Sequence, residues 1–414
     1  MTNGTGRRGL LAIAGAAGIG TGIGGLPWRS ARAQAANTIR LGVMTDMSGL
    51  YRDSVGPGSV ALTQQAVQEF GNRGFGVEVL QADHQNRPDV GANLVRQWFD
   101  QGVDAVVDVP TSSVALAVNQ IAREKNKIHL NSGAATSDLT GSQCSPNTVH
   151  WTYDTYMLAK STAAAVVRQG GDSWFFITAD YAFGHALERD TTAFVRGMGG
   201  RVLGTARTPF PGTTDFSAFL LQAQASRAKV LGFANASTDT VNCIKGAREF
   251  GLHRSMRLAA LLMDVVAVRA LGIEAGQGLL LTESFYWDLN DRTRALTARS
   301  RARNQDRPPA MVPAGCYGVT LHYLKAVAEM GITAAKASGV EAVNRMKALP
   351  CDDDAFGAGH IRADGRKIHP GYLFQVKSPE ESTSPWDVYK LVTTTPGDDA
   401  FRPLNEGGCA LVRS

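Results

Sequence analysis

Asp104-Ala-Val-Val-Asp-Val-Pro-Thr-Ser-Ser-Val-Ala-Leu-Ala117 is the stretch whose reading decides the fold. Its first half is a short β-branched apolar run, the mark of a strand buried in a parallel sheet. Pro110 has no N–H to give a ladder and ends the strand. Thr111, Ser112 and Ser113 follow, and Val114–Ile121 reads as helix. At such a junction the unpaired N–H groups and the positive end of the helix dipole point the same way as the hydroxyls, which makes a seat for an anion. The same residues also meet the ordinary preference for Ser and Thr at a helix N-cap.

The pattern repeats on both sides. Upstream, Ile39–Met44 is strand-like, Leu62, Ala66 and Phe70 mark a helix face, Val77–Leu80 is a strand, and Leu94, Val95, Trp98 and Phe99 mark the next helix. Downstream, Ile128–Leu130 is a short strand ending in Asn131-Ser132-Gly133-Ala134-Ala135. After a polar pause at Ser137–Asn147 the alternation resumes: strands at Trp174–Thr178, Arg201–Arg207, Val230–Ala234, Leu258–Leu262 and Leu279–Thr282, with helices between. Thr213-Thr214-Asp215 caps a helix over Phe216–Ala225. The fold class is therefore α/β, with two Rossmann-like lobes, each a parallel sheet covered by helices. An arginine-rich helix follows Leu289, then helices at Cys316–Met330 and Ala334–Leu349. Ala363-Asp364-Gly365 is a tight turn between polar strands, and Tyr372–Val376 and Val388–Thr393 are strand-like.

The N-terminus has a different character. Arg7-Arg8, a Gly/Ala/Ile run to Leu26 and Ala31-Arg32-Ala33 read as a basic region, an apolar region and a cleavage site, so residues 1–33 form an export signal of twin-arginine or general secretory type. The mature protein is expected in the periplasm. The signal carries four arginines and no acid, so the formal charge of +5 falls to +1 without it. A nearly neutral chain gives no support for nucleic-acid binding. Gly20-Thr-Gly22-Ile-Gly24-Gly25 matches a dinucleotide fingerprint but lies inside the signal, without the strand and helix that motif needs. Five cysteines, Cys144, Cys243, Cys316, Cys351 and Cys409, are too widely spaced for zinc patterns. In an oxidising compartment one or two disulfides are expected, and Cys144 and Cys409 both sit among turn residues where a cross-link would hold a tail down.

Ligands of open α/β sheets bind where the strands end. In the first lobe those ends carry Asp46-Met47-Ser48-Gly49-Leu50-Tyr51-Arg52, Asp83-His84, Thr111–Ser113 and Ser132-Gly133-Ala134. In the second they carry Tyr181, Phe183, Asn235 and Glu283-Ser284-Phe285-Tyr286-Trp287. One side is small and hydroxylic; the other is aromatic, which suits a small amphipathic ligand. Neither a G-x-S-x-G elbow nor HExxH is present. Asp83-His84 is a candidate acid–base pair, with an ordinary polar loop the stronger reading. Asp352-Asp353-Asp354 lacks the spaced ligands of a calcium loop. Asn235-Ala-Ser237 is a glycosylation sequon by pattern, though Asn at a strand end rather faces ligand or caps the helix.

Asp46-Met-Ser-Gly, Asp108-Val-Pro-Thr-Ser-Ser, Ser137-Asp-Leu-Thr, Asp180-Tyr-Ala-Phe-Gly and Thr214-Asp-Phe-Ser occur in that order. The set resembles the periplasmic substrate-binding proteins of branched-chain-amino-acid ABC transporters, in the branch that handles aromatic acids, which also shows Tyr286-Trp287-Asp288-Leu289-Asn290 and a C-terminal Gly-Cys. The resemblance implies a type I periplasmic binding fold with a three-crossing hinge. Lobe 1 would comprise residues 38–152 and 285–368, lobe 2 residues 153–284 and 369–395, and residues 396–414 a tail returning to lobe 1. It implies that Thr111, Ser112, Ser113, Gly133 and Ala134 hold a ligand carboxylate, that Tyr181, Phe183, Tyr286 and Trp287 meet its body, and that Cys144 pairs with Cys409. Tyr51, Arg52, Ser132, Asn235 and Phe285 complete the expected site. Amino-acid binders of this kind usually have Thr at the position of Ala135, and a second-lobe acid for the ammonium where this chain reads Leu261-Leu262-Met263-Asp264. These departures favour a carboxylate without an ammonium over an α-amino acid, because a buried ammonium without its acid is costly. A monomer without cofactor or metal, delivering its ligand to a membrane-embedded ABC permease, is expected. A branched-chain or other amino-acid or amide receptor, a sensory ligand-binding protein and an exported enzyme using Asp83-His84 are the alternatives.

Overall fold

Alternation of side chains along the first strand already separates two layers of core. Leu41 and Val43 join one buried cluster; Met44 joins another on the opposite face. The strand is β1 (Thr38–Thr45), and it is followed by α1 (Gly56–Phe70), β2 (Gly76–Asp83), α2 (Pro88–Asp100), β3 (Ala105–Asp108), α3 (Ser112–Glu124), β4 (Ile128–Asn131) and β5 (Thr148–His150). The strands form one parallel sheet in the order β2-β1-β3-β4-β5. On one face α2 and α3 bury Trp98, Phe99, Val114, Val118 and Ile121 against Met44 and Val106. Gly42 is required there, because a Cβ would come within 2.4 Å of the Trp98 ring. Each fully buried large apolar side chain contributes about 1.5–3 kcal/mol. The computed structural model describes residues 37–412; the expected export signal lies outside them.

The chain then crosses through α4 (residues 155–168, with a π-helical turn at Ala159–Ala163) into β6 (Ser173–Ala179), α5 (Ala182–Gly197), β7 (Arg201–Thr208), α6 (Ser217–Ser226), β8 (Val230–Ala234), α7 (Thr238–Glu249), β9 (Arg257–Ala260), α8 (Val265–Leu271) and β10 (Leu280–Glu283). The second sheet is parallel too, in the order β7-β6-β8-β9. After α9 (Asp291–Ser300) the long helix α10 (Met311–Met330) returns to pack on α1. β11 (Cys351–Asp353), β12 (Gly357–Ile361) and β13 (Lys367–Ile368) make a small antiparallel sheet. β14 (Gly371–Val376) pairs with β10 on one side and β15 (Tyr389–Thr395) on the other, burying Phe374 and Tyr389 in the second lobe's core.

The expected elements are present, with shifts that have causes. The predicted helix 334–349 is two helices, Ile332–Ala337 and Gly339–Ala348. Ser338 caps the second of these by accepting the Glu341 N–H at 3.3 Å. β9 stops at Ala260, so Leu261–Met263 leave the sheet. β5 follows directly on the polar pause at 137–147 and is a strand that the apolar pattern does not mark. The hairpin turn at 363–365 is present, with Gly365 at φ 86°, but its flank is not polar surface: Arg366 and Lys367 are fully buried. The Arg366 guanidinium donates to the carbonyls of Thr152 and Tyr153, faces Asp154 at 3.7 Å and stacks on Phe401, tying the hairpin to the crossing segment. Cys144 and Cys409 form a disulfide across 265 residues, which pins the tail; Cys243, Cys316 and Cys351 are buried and free. Among the described residues no helix is long and apolar enough to cross a membrane.

Candidate functional site

The first wall of the site is set by one carboxylate. Asp46, buried at the end of β1, accepts the N–H groups of Ser48, Gly49 and Tyr51 and the Asn86 side-chain amide, at 2.6–3.2 Å. The loop thereby curls back and presents the Tyr51 ring toward the other lobe. Asp83 ties the same loop, accepting from Ser48 Oγ at 2.6 Å and Met47 N–H at 3.2 Å. The second wall lies at the end of β3, where Asp108 and Val109 sit at φ 81° and 57°, left-handed conformations that a β-branched residue rarely adopts. Such strain concentrates at functional sites. This turn brings Pro110 against Gly133, where a Cβ would fall 2.5 Å from both Asp108 Oδ1 and Pro110 Cα.

Between the lobes these walls enclose a cavity of about 40 Å³, lined by Tyr51, Ser54, Val55, Pro110, Gly133, Ala135 and Tyr153 from one direction. Tyr181, Phe183, Ala236, Ser237 and Leu262 to Asp264 line the other, and Met311 and Val312 at the start of α10 complete it. That volume holds a few waters and no six-membered ring, so ligand entry requires the lobes to part or the rings to swing. The lobes are in contact across it. Tyr51 and Tyr181 share a hydrogen bond at 2.5 Å, and Ser237 and Thr238 hydroxyls donate to the Leu50 carbonyl at 2.9 and 3.2 Å. Tyr153 donates to the Gly133 carbonyl at 2.9 Å.

Among the described residues no lysine, arginine or histidine lines the cavity, and Asp264 is the one carboxylic acid there. It caps α8, accepting the Ala267 N–H at 2.9 Å, and burial pushes its carboxyl up from the usual range. The sequence comparison counted this stretch as a departure from the second-lobe acid of the amino-acid binders, but the structure places the Asp264 carboxylate on the cavity. Because β9 ends early, Leu262, Met263 and Asp264 run along the cavity instead of within the sheet.

Of the expected site residues, Tyr51, Gly133, Tyr181 and Phe183 line the cavity. The hydroxyl seat does not. Thr111 is fully buried and donates to Asn86 Oδ1, neither facing the cavity nor capping its helix. Ser112 Oγ accepts the Thr136 N–H at 3.2 Å, and Ser113 lies beyond the lining on α3. Thr111 therefore acts through Asn86 and Asp46 on the Tyr51 loop. Ser132 is buried against α10, and Ala134 donates its N–H to Asn131 behind the wall. Asn235 is spent internally, donating to Cys243 Sγ and accepting from Thr240. Phe285 and Tyr286 are core residues, the latter packed on Phe374 and Tyr389; Tyr286 and Trp287 both donate to the Trp386 carbonyl. The chain after β10 turns under the β14–β15 hairpin and away from the cleft, which carries these aromatics off. Arg52 is exposed beside Asp53 in a neighbouring cleft. His84 is buried outside the cavity, its Nδ1 accepting the Asn86 N–H and its pKa lowered by burial to about 4. Tyr153 and Met311–Val312 carry no signal in the sequence, because neither follows a strand that the apolar pattern marks.

Residues 38–382 match the family described as periplasmic binding protein. A periplasmic binding protein from Burkholderia mallei is 46% identical, with a TM-score of 0.87 over 91% of this chain and 100% of that one. A branched chain amino acid ABC transporter periplasmic ligand-binding protein from Burkholderia xenovorans LB400 is 34% identical, with a TM-score of 0.78 over 90% of this chain and 99% of that one. Leu/Ile/Val-binding protein homolog 4 of Brucella abortus (strain 2308) is 23% identical over 261 residues. That alignment takes in 61% of this chain and 62% of the relative, so the chain spans under two thirds of that relative's length.

Proposed function

Because the chain belongs to the periplasmic binding protein family, we propose that it is the extracytoplasmic receptor of an ABC importer, closing its lobes on an amino acid with an apolar side chain and handing it to a membrane permease. The observation that carries the ligand class is Asp264, a carboxylate inside a cavity otherwise walled by apolar and tyrosine side chains with no cation. A ligand ammonium pairs with Asp264 and meets the faces of Tyr51, Tyr153 and Tyr181, a favourable setting for a desolvated cation. The ligand carboxylate falls to the side of the cavity lined by Ser54 and Ala135. The relative from Burkholderia xenovorans, named for branched-chain amino acids, supports the same class. The family is non-enzymatic, which removes the exported-enzyme alternative.

A carboxylate without an ammonium remains the second reading, favoured by one observation. Burial raises the Asp264 carboxyl, and in the neutral form it would donate a hydrogen bond to an acid instead of repelling it. Calorimetric titration with matched pairs separates the two: leucine against 4-methylpentanoate, phenylalanine against 3-phenylpropanoate. The proposal expects the amino acid of each pair to bind at least about 100-fold tighter, the scale of a buried pair that loses one partner. Tighter binding of the amine-free acids would overturn it.

A further inference from the structure

Three rings meet where the lobes touch. Tyr51 belongs to the first lobe and Tyr181 to the second, and their hydroxyls are hydrogen-bonded. Phe210 lies on the loop between β7 and α6. Its ring stacks on Tyr181 with centroids 3.9 Å apart and planes at 13°, and on Tyr51 at 5.8 Å and 27°. The loop around it is exposed at Pro209, Pro211, Gly212, Thr214 and Asp215, and Thr213 Oγ1 closes it onto the Pro209 carbonyl at 2.7 Å. The ring sits half-buried on a largely exposed loop, and it covers one tyrosine from each lobe.

We propose that Phe210 is a positioning residue of the binding site: by roofing Tyr51 and Tyr181 together it holds the cleft shut and sets how fast a bound ligand leaves. When the lobes part, Phe210 stays with Tyr181, 3.9 Å away on its own lobe, and loses Tyr51. Its stacking on Tyr51 thus exists only in the closed form, so it slows opening without being needed for first encounter. The hydrogen bonds that join Tyr51 to Tyr181 and Ser237 and Thr238 to Leu50 are replaced by water on opening; the ring contact has no such substitute.

The inference rests on the cleft being the ligand site, so the deciding readout needs no ligand. Small-angle X-ray scattering of the ligand-free protein compares wild type with Phe210→Ala, Phe210→Leu and Phe210→Tyr, each checked for folding by circular dichroism. The expected result is a larger radius of gyration for the alanine and leucine variants and a wild-type profile for the tyrosine variant. Stopped-flow release of L-leucine should quicken about 2- to 10-fold in the alanine variant with association unchanged, the scale of one lost aromatic contact. Identical scattering for wild type and both ring-deleted variants overturns the proposal, whichever ligand the cleft takes. Failure of leucine to bind alongside altered scattering counts against the amino-acid reading alone.

Discussion

Replacing Asp108 with asparagine should leave stability little changed near pH 4 and raise it at pH 8. The carboxyl is fully buried behind Gly133 and Pro110, and neither oxygen has a hydrogen-bond partner. Thr45 and Ser59 hydroxyls are close enough to favour its charged form slightly but fall outside hydrogen-bonding geometry, and the Asp46 carboxylate opposes that form. Burial is the dominant cause, raising the group from 3.8 to about 7. Between those values the folded protein holds a proton that the unfolded chain has released. Stability therefore falls as pH climbs from about 4 to 7 and stays low above that. A difference of about three pH units is worth on the order of 4 kcal/mol at the plateau. Asparagine keeps the shape and cannot ionise, so it should recover about 2–4 kcal/mol at pH 8. Urea unfolding of both proteins at pH 4.5, 6, 7 and 8 measures it. A stability difference that does not vary with pH, or a variant less stable than wild type at pH 8, would refute the reasoning.

Thr111→Val removes the hydroxyl that fixes Asn86 and, through Asp46, the Tyr51 loop. It should cost about 1–2 kcal/mol in urea unfolding and weaken ligand binding, whereas Ser113→Ala should change neither. Arg366→Ala leaves Asp154 buried without its cation and empties the space over Phe401; a loss of about 3–5 kcal/mol is expected by the same assay. Cys409→Ser frees the tail and should lower the thermal midpoint, with a cost of about 2–4 kcal/mol, while leaving affinity for the ligand near wild type because neither cysteine lines the cavity.

The βα rhythm was legible because buried parallel strands leave β-branched runs and the intervening helices leave an apolar stripe. Val106, Val107, Leu62 and Trp98 carry that pattern, and each packs where it implied. The site was legible only where a strand end runs straight into the cleft, as at Tyr51, Gly133 and Tyr181. Thr111 shows why the rest was not. A hydroxyl at a strand–helix junction can face outward to a ligand or sideways to a neighbour, and Asn86, 25 residues away, decided it. Tyr286 and Trp287 followed β10 in sequence, but the β14–β15 hairpin, more than 80 residues later, covers them. Asp264 reached the cavity through the early end of β9, a boundary that apolar pattern does not fix because Leu261 and Leu262 are as apolar as the strand.

A crystal structure of the protein with L-leucine or L-phenylalanine bound measures the central claim directly. The account predicts density between Tyr51, Tyr153 and Tyr181, with the ligand nitrogen within about 3 Å of an Asp264 oxygen. A ligand whose carboxylate faces Asp264, or one bound away from this cleft, would contradict it.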